Sequence, residues 1–349
     1  MARRIRTTAL LLAVLLPTLV SAQDQKLADQ FGEEITVSLI SMTVRAVDGR
    51  GRPVTGLGPE DFRVRVWKKE VPVVGVDWFS SGEPPPAVEA PGVPDAVVEP
   101  GPEGRPAGKL VVFWVQSDFD PSRVTGQLRL WPYIDEFIET LHPADRMAVI
   151  SFDSHLHLRQ DFTQDLEAVH AAIFRGMLHG DSETGAGSGE ISLIGSFDVQ
   201  DAVAAASPER ALEVTAEALS ELPREKIIVY LGWGLGRMGA FGVQMTPAFY
   251  PAVRALRGAN IPVFVLDVTS ADYHSLEVGL EAVAHATGGT YQKTHVLTGL
   301  ATDFLAQAIS GYYVVTIDPD TVPSKGGPVT VELRDRKKGS VITRPLTLR

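Results

Sequence analysis

The chain has 349 residues, 44% of them hydrophobic and 21% charged, with no cysteine and a formal charge of −11. Such a mixture is too apolar for a disordered chain and long enough for two domains, or for one with a large insertion. The lack of cysteine excludes thiol nucleophiles, disulfides, thiolate zinc sites and iron–sulfur clusters. The acidic balance leaves no electrostatic footprint for DNA, RNA or anionic lipid.

Residues 1–22 combine Arg3, Arg4 and Arg6 with an apolar run from Ala9 to Leu16, a break at Pro17 and small residues before Gln23. This is the three-part pattern of a secretory leader, and the run is too short for a membrane span. The expectation is a secreted or periplasmic chain cleaved near Ala22, with no membrane span and a protein partner. Residues 35–47, 62–67 and 71–79 then alternate polar and apolar side chains around turn clusters at residues 48–51 and 67–70, which predicts a small N-terminal β segment within residues 23–80. Residues 81–108 hold eight of the 24 prolines and read as a linker.

From Lys109 the rhythm changes. Leu110-Val-Val-Phe-Trp-Val115 is a continuous apolar strand, helical spacing follows over residues 133–141, and Arg146–Phe152 is a second buried strand. Next, Phe152, Leu156, Leu158 and Phe162 alternate with Asp153, His155, His157, Arg159 and Asp161, which predicts an edge strand with one wet face. Helices are predicted over residues 165–177, over 208–222 behind a Ser207 cap and Pro208, and around 247–257. Strands are predicted at 226–231 and 261–267. Alternating strands and helices imply an α/β fold, a mostly parallel sheet covered on both faces. Strand-only rhythm returns at residues 312–317, 329–333 and 341–348. Because isolated two- or three-stranded pieces are marginal, the two β segments (23–80 and 301–349) are expected to form one β-sandwich around an inserted α/β domain at 109–300.

Enzyme motifs are sparse. Gly234-Leu-Gly236-Arg-Met-Gly239 after a strand, with Asp267 ending the next one, matches a dinucleotide-binding fingerprint in glycine spacing, but Asp267 is too distant and no helix start follows at once. Residues 104–110 are one short of a phosphate loop, and Ser188 is not in a nucleophile elbow. His155 and His157 share a strand face without a third histidine or glutamate at ligand spacing, which favours an ordinary polar face.

Four strings, Pro53-Val-Thr-Gly-Leu-Gly-Pro-Glu-Asp61-Phe62, Asp145-Arg-Met-Ala-Val-Ile-Ser-Phe152-Asp153, Asp161-Phe162-Thr163-Gln-Asp165 and Ala282-Val-Ala-His-Ala-Thr287-Gly288-Gly289, resemble VWFA-related domain proteins of the acidobacterial type. The resemblance covers nearly all of the chain after residue 22. It implies a von Willebrand factor A-like sheet wrapped by helices, a non-enzymatic role in protein binding or adhesion, and a metal-ion-dependent adhesion site at the carboxyl end of the sheet. That site is built from a D-x-S-x-S loop, a threonine and an aspartate around magnesium, a hard cation with oxygen ligands. Here Gln116 stands at the first acidic position, followed by Asp118 and Asp120; a shifted register gives Asp118, Asp120 and Ser122. Ser196 would stand for the threonine, and Trp233 falls where the last acid belongs. The resemblance therefore implies a degenerate adhesion site with no tight metal. Asp118 and Asp120 could hold magnesium or calcium weakly, at about −4 kcal/mol or less favourable, and partner binding should survive chelation. Gln116, Asp118, Asp120, Ser122, Ser196 and Trp233 are the expected binding face, with Trp233 as an aromatic anchor. Two alternatives remain open: a nucleotide-binding enzyme using residues 234–239, and an envelope scaffold.

Overall fold

The computed structural model describes residues 39–80, 108–180 and 183–348. The expected leader and almost all of the proline-rich linker lie outside them.

The chain begins with β1 (Ile40–Val47), β2 (Phe62–Val66), β3 (Lys69–Val71) and β4 (Val73–Ser80), and it closes with β13 (Gly311–Ile317), β14 (Gly327–Leu333), β15 (Ser340–Ile342) and β16 (Leu346–Leu348). These strands form two antiparallel sheets, β15-β1-β13-β4 and β16-β14-β2-β3. β1 lies against β13 with Ile40 opposite Ile317 and Val44 opposite Tyr313, while β2 lies against β14 with Val64 opposite Val331. Period-two alternation sends Phe62, Val64 and Val66 inward and Arg63 and Arg65 outward. Their core joins Val44, Phe62, Val64, Tyr313, Val315 and Val331 from both ends of the chain. The β-sandwich formed by the two chain ends is therefore present. One detail differs from the sequence expectation. The last strand, expected as one run over 341–348, is two: β15 pairs with β1 and β16 with β14. Pro345 lies between them, where a residue without an amide proton interrupts a ladder, and the chain changes sheets there.

Between the β segments lie β5 (Leu110–Gln116), α1 (Pro121–Glu139), β6 (Arg146–Phe152), β7 (Leu156–Thr163), α2 (Leu166–Met177), α3 (Val199–Ala204), α4 (Pro208–Ser220), β8 (Lys226–Gly232), β9 (Arg237–Gly239), β10 (Gly242–Gln244), α5 (Phe249–Gly258), β11 (Val263–Asp267), α6 (Glu277–Thr287), β12 (Tyr291–Lys293) and α7 (Thr298–Ala308). The sheet order is β12-β11-β8-β5-β6-β7, with only β7 antiparallel. On β5, Val111, Phe113 and Val115 pack with α1, α2 and α7, whereas Val112 and Trp114 pack with α4, α5 and α6. This mostly parallel sheet wrapped by helices is the von Willebrand factor A-like arrangement that the resemblance implied. In a doubly wound sheet the strand order reverses between β5 and β8, and the crevice at their carboxyl ends is where ligands usually settle. The two parts of the fold meet through Arg45 of β1, which pairs with Glu225 at 2.9 Å while its guanidinium lies 5.4 Å from the Phe264 ring centroid.

The expected wet face of β7 is wet only toward its start, where Asp153, His155 and His157 are half-buried. Arg159, Gln160 and Asp161 are buried, because the segment from residue 183 to 198 lies along this edge. Gly185 bridges to Gln160, and Asp161 accepts the amides of Phe162 (2.8 Å) and Leu193 (2.7 Å) and the Ser192 hydroxyl. Alternation alone cannot distinguish a solvated edge from one covered by a distant loop.

Candidate functional site

Gln116 ends β5 on the same face as Trp114 and Tyr230, so strand parity aims its side chain across the switch point. Its Oε1 accepts the Tyr230 hydroxyl at 3.0 Å and the amides of Trp233 (2.9 Å) and Gly234 (3.1 Å), and its Nε2 donates to the Gly234 carbonyl at 3.0 Å. Its backbone carbonyl accepts Gln127 Nε2 at 2.9 Å. The amide therefore braces the loop after β8 against β5. Burial raises the Tyr230 hydroxyl pKa far above its ordinary value, which keeps it a neutral donor to Gln116.

Beyond Gln116 the chain turns sharply into α1. Asp118 Oδ1 accepts the Asp120 amide at 2.8 Å, and Asp120 caps the helix by accepting the Ser122 amide at 2.9 Å and the Ser122 hydroxyl. These Ser122 donors hold the Asp120 carboxyl below its ordinary pKa. Asp118 Oδ2 pairs with Arg123, whose guanidinium stacks over the Trp233 ring with its carbon 3.3 Å from the centroid. Gln116, Asp118, Asp120, Ser122 and Trp233 thus gather at the switch point. Ser196 is placed differently: its hydroxyl donates to the Ser192 carbonyl at 3.5 Å, in the segment tied to β7 through Asp161. Sequence reasoning missed Arg123, although Asp120-Pro121 is a cap-and-first-turn signal that placed Arg123 one turn beyond Asp118.

The glycine string after β8 opens a hairpin rather than a helix, with β9 pairing to β10 and Phe241 exposed at its tip. Its amides are already engaged, Gly234 with Gln116 and Gly236 with Glu209 Oε1 at 2.6 Å. A pyrophosphate cradle needs free amides at a helix start, whereas here a hairpin follows and the Gly234 and Gly236 amides are taken.

Two histidine–carboxylate clusters lie beside this corner. At the end of β11, buried Asp267 accepts the Tyr291 hydroxyl and His274 Nε2, both at 2.6 Å, and the Thr269 amide at 2.9 Å. Glu277 pairs there with Lys293 at 2.7 Å. Burial, then the bond to Asp267, raise the Tyr291 pKa. At the end of β6, Asp153 faces His157 Nε2 at 3.2 Å, His155 Nδ1 at 3.6 Å and His179 Nδ1 at 3.7 Å. Burial by itself would raise the Asp153 carboxyl, but the amides of Ser154 and His155 and the facing His157 ring outweigh it and hold the group well below its ordinary range. Burial depresses the His157 pKa despite that neighbouring carboxylate. His179 in turn stacks on Phe119, ring centroids 3.8 Å apart, which joins this cluster to the Asp118 turn.

Neither a protein-family model nor a curated protein matches the chain. Several solved structures are similar to it. Human COPII-coat protein Sec24c shares 10% identity over 70% of this chain and 44% of its own length, at a TM-score of 0.40. A von Willebrand factor type A protein of Catenulispora acidiphila shares 13% over 69% and 66%, at 0.38. The vWF domain of the type V pilus tip protein Mfa5 of Porphyromonas gingivalis shares 10% over 58% and 95%, at 0.40. This chain spans less than half of Sec24c.

Proposed function

We propose that the protein is a secreted, non-enzymatic binding module that grips a protein partner through the rim at the carboxyl ends of β5 and β8, without a tightly held magnesium ion at Asp118 and Asp120. The observation that carries this reading is the internal settlement of that corner. Arg123 supplies beside Asp118 the positive charge that an adhesion site takes from a metal, and the Gln116 amide is consumed by four hydrogen bonds. What the rim offers a partner is apolar and aromatic: Phe119 is 80% exposed, Met238 60% and Phe241 99%, with Trp233 half-buried beneath Arg123. Exposed aromatic and methionine side chains of this kind serve as interface anchors. The leader-like residues 1–22 support export.

The test is crosslinking capture from an envelope extract of the host with the full chain, in buffer with and without magnesium. A partner captured equally in both, and lost from a Phe119→Ser, Met238→Ser, Phe241→Ser variant of unchanged melting temperature, supports the reading. Capture that requires magnesium, or that survives the triple substitution, refutes it.

A further inference from the structure

We infer that Asp153, His155 and His157 form a binding site for a borderline divalent transition metal of the zinc class, separate from the Asp118 corner. Each offers one ligand atom, and the three atoms lie within 4.8 Å of one another. Asp153 Oδ1 stands 3.3 Å from His157 Nε2 and 3.6 Å from His155 Nδ1. A tetrahedral ion with bonds of ~2.1 Å holds its ligand atoms ~3.4 Å apart, so these separations already bracket the required spacing.

The local fold explains the convergence. Asp153 closes the turn between β6 and β7 by donating its amide to the His155 carbonyl at 3.3 Å. The period of two then puts the next odd-numbered side chain, His157, on the side of Asp153 and His155, and the two imidazole centroids are 4.0 Å apart. Two imidazoles and one carboxylate select zinc, nickel, copper or ferrous iron over magnesium and calcium, which prefer all-oxygen sites. A site of three protein ligands keeps an open coordination position. A groove of ≈ 250 Å³ adjoins His157, lined also by Leu158, Thr184, Ile194, Phe197 and Val203. His179, at 3.7 Å from Asp153, is a third imidazole next to the carboxylate.

The contrast with Asp267 sharpens the assignment. That carboxylate is buried and committed to Tyr291, His274 and Thr269, and its partner Glu277 is paired with Lys293. At the Asp153 cluster the donors from outside the histidines are the Ser154 amide and hydroxyl. Among the described residues, the ring nitrogens have one further contact, the Ser154 hydroxyl to His155 Nδ1 at 3.1 Å.

The experiment is calorimetric titration of the untagged full chain with zinc alone and with magnesium alone. Expected is one zinc per chain and no comparable magnesium heat. His155→Gln, at a partly exposed position, should weaken zinc by ~10-fold or more, since even the outer partners of metal ligands contribute that much. His157→Gln and Asp153→Asn should do likewise, while His170→Gln, on another face, leaves binding unchanged. Circular dichroism of each variant separates lost ligation from lost folding, and His155→Gln keeps the test decisive should the other two unfold. No zinc binding by the wild type, or binding that His155→Gln leaves intact, overturns the assignment. Either result stands apart from the capture experiment, which reads the Phe119, Met238 and Phe241 rim.

Discussion

Asp153, just after β6, and Asp267, at the end of β11, lie at the carboxyl ends of two strands of one sheet, and each gathers histidine around a carboxylate, yet the sheet treats them oppositely. Asp267 ends the interior strand β11 beneath α6, so a tyrosine, a histidine and a threonine amide close around it. Asp153 sits in the turn leading to β7, the edge strand of the sheet among the described residues. Similar ingredients thus become a structural knot in one place and an accessible cluster in the other. Burial on the inner side of the sheet, rather than residue type, makes the difference.

Alanine at both positions sharpens the comparison most. Asp267→Ala strands the Tyr291 hydroxyl, His274 and the Thr269 amide, and is expected to cost ~3 kcal/mol in urea unfolding. Asp153→Ala, at a partly solvated turn, should cost ~1 kcal/mol or less. Equal losses would erase the distinction between knot and open cluster. Gln116→Leu comes next: it leaves the Tyr230 hydroxyl and two loop amides without their acceptor, at an expected ~2 kcal/mol. A loss of that size with no gain in magnesium affinity would mark Gln116 as a brace rather than a vestigial ligand.

Acid provides a smaller and reversible effect. Because burial depresses the folded pKa of His157, the unfolded chain takes up the proton first. Stability is then full above the unfolded histidine value of ~6.5 and declines as pH falls through it toward the lower folded value. Asp153, also depressed, adds its own decline only below ~4, the unfolded aspartate range. Urea melts at about pH 7.5 and about pH 5.5, on either side of that histidine value, should show a loss that His157→Gln reduces. An unchanged slope in the variant would place the acid sensitivity elsewhere. The smallest effect is expected from Arg123→Gln, below ~1 kcal/mol for a partly exposed ion pair. Its value lies in the magnesium titration, where freeing Asp118 should make weak binding measurable.

Much of the architecture was legible because its causes are local. The continuous apolar run of β5 marks a strand buried on both faces, and Ser207 before Pro208 announces α4, where the Ser207 hydroxyl accepts the Arg210 amide at 3.2 Å. The candidate site was legible only in part. Gln116, Asp118, Asp120, Ser122 and Trp233 are adjacent in the loops that the resemblance singled out, and they do meet. Arg123 was overlooked because its significance depends on Trp233, 110 positions away in sequence and face to face with it in space. The Asp153 cluster was set aside for want of a third histidine or glutamate, when the missing ligand was an aspartate two residues before His155. His179 is likewise brought in by the end of α2, which sequence spacing does not reveal. The covering of Arg159 and Asp161 escaped notice for the same reason, since residues 183–198 cross β7 by tertiary packing rather than by any periodic signal.

The pairing of β1 with β13 also sets a timetable. Ser41 touches Thr316 across 275 positions of chain, so β1 has neither β13 nor β15 beside it until nearly everything else has left the ribosome. At ~5–20 residues per second, that interval is roughly 15–55 s. For that time β1 and β4 lack their shared partner, and β2 has only β3 beside it. Open strand edges of this kind invite pairing with other chains. The α/β body has its whole sheet available before the sandwich can close, so the nascent protein passes through a stage with one finished half and one adhesive half. A chaperone that shields β-edges should therefore matter more for its yield than for its final stability.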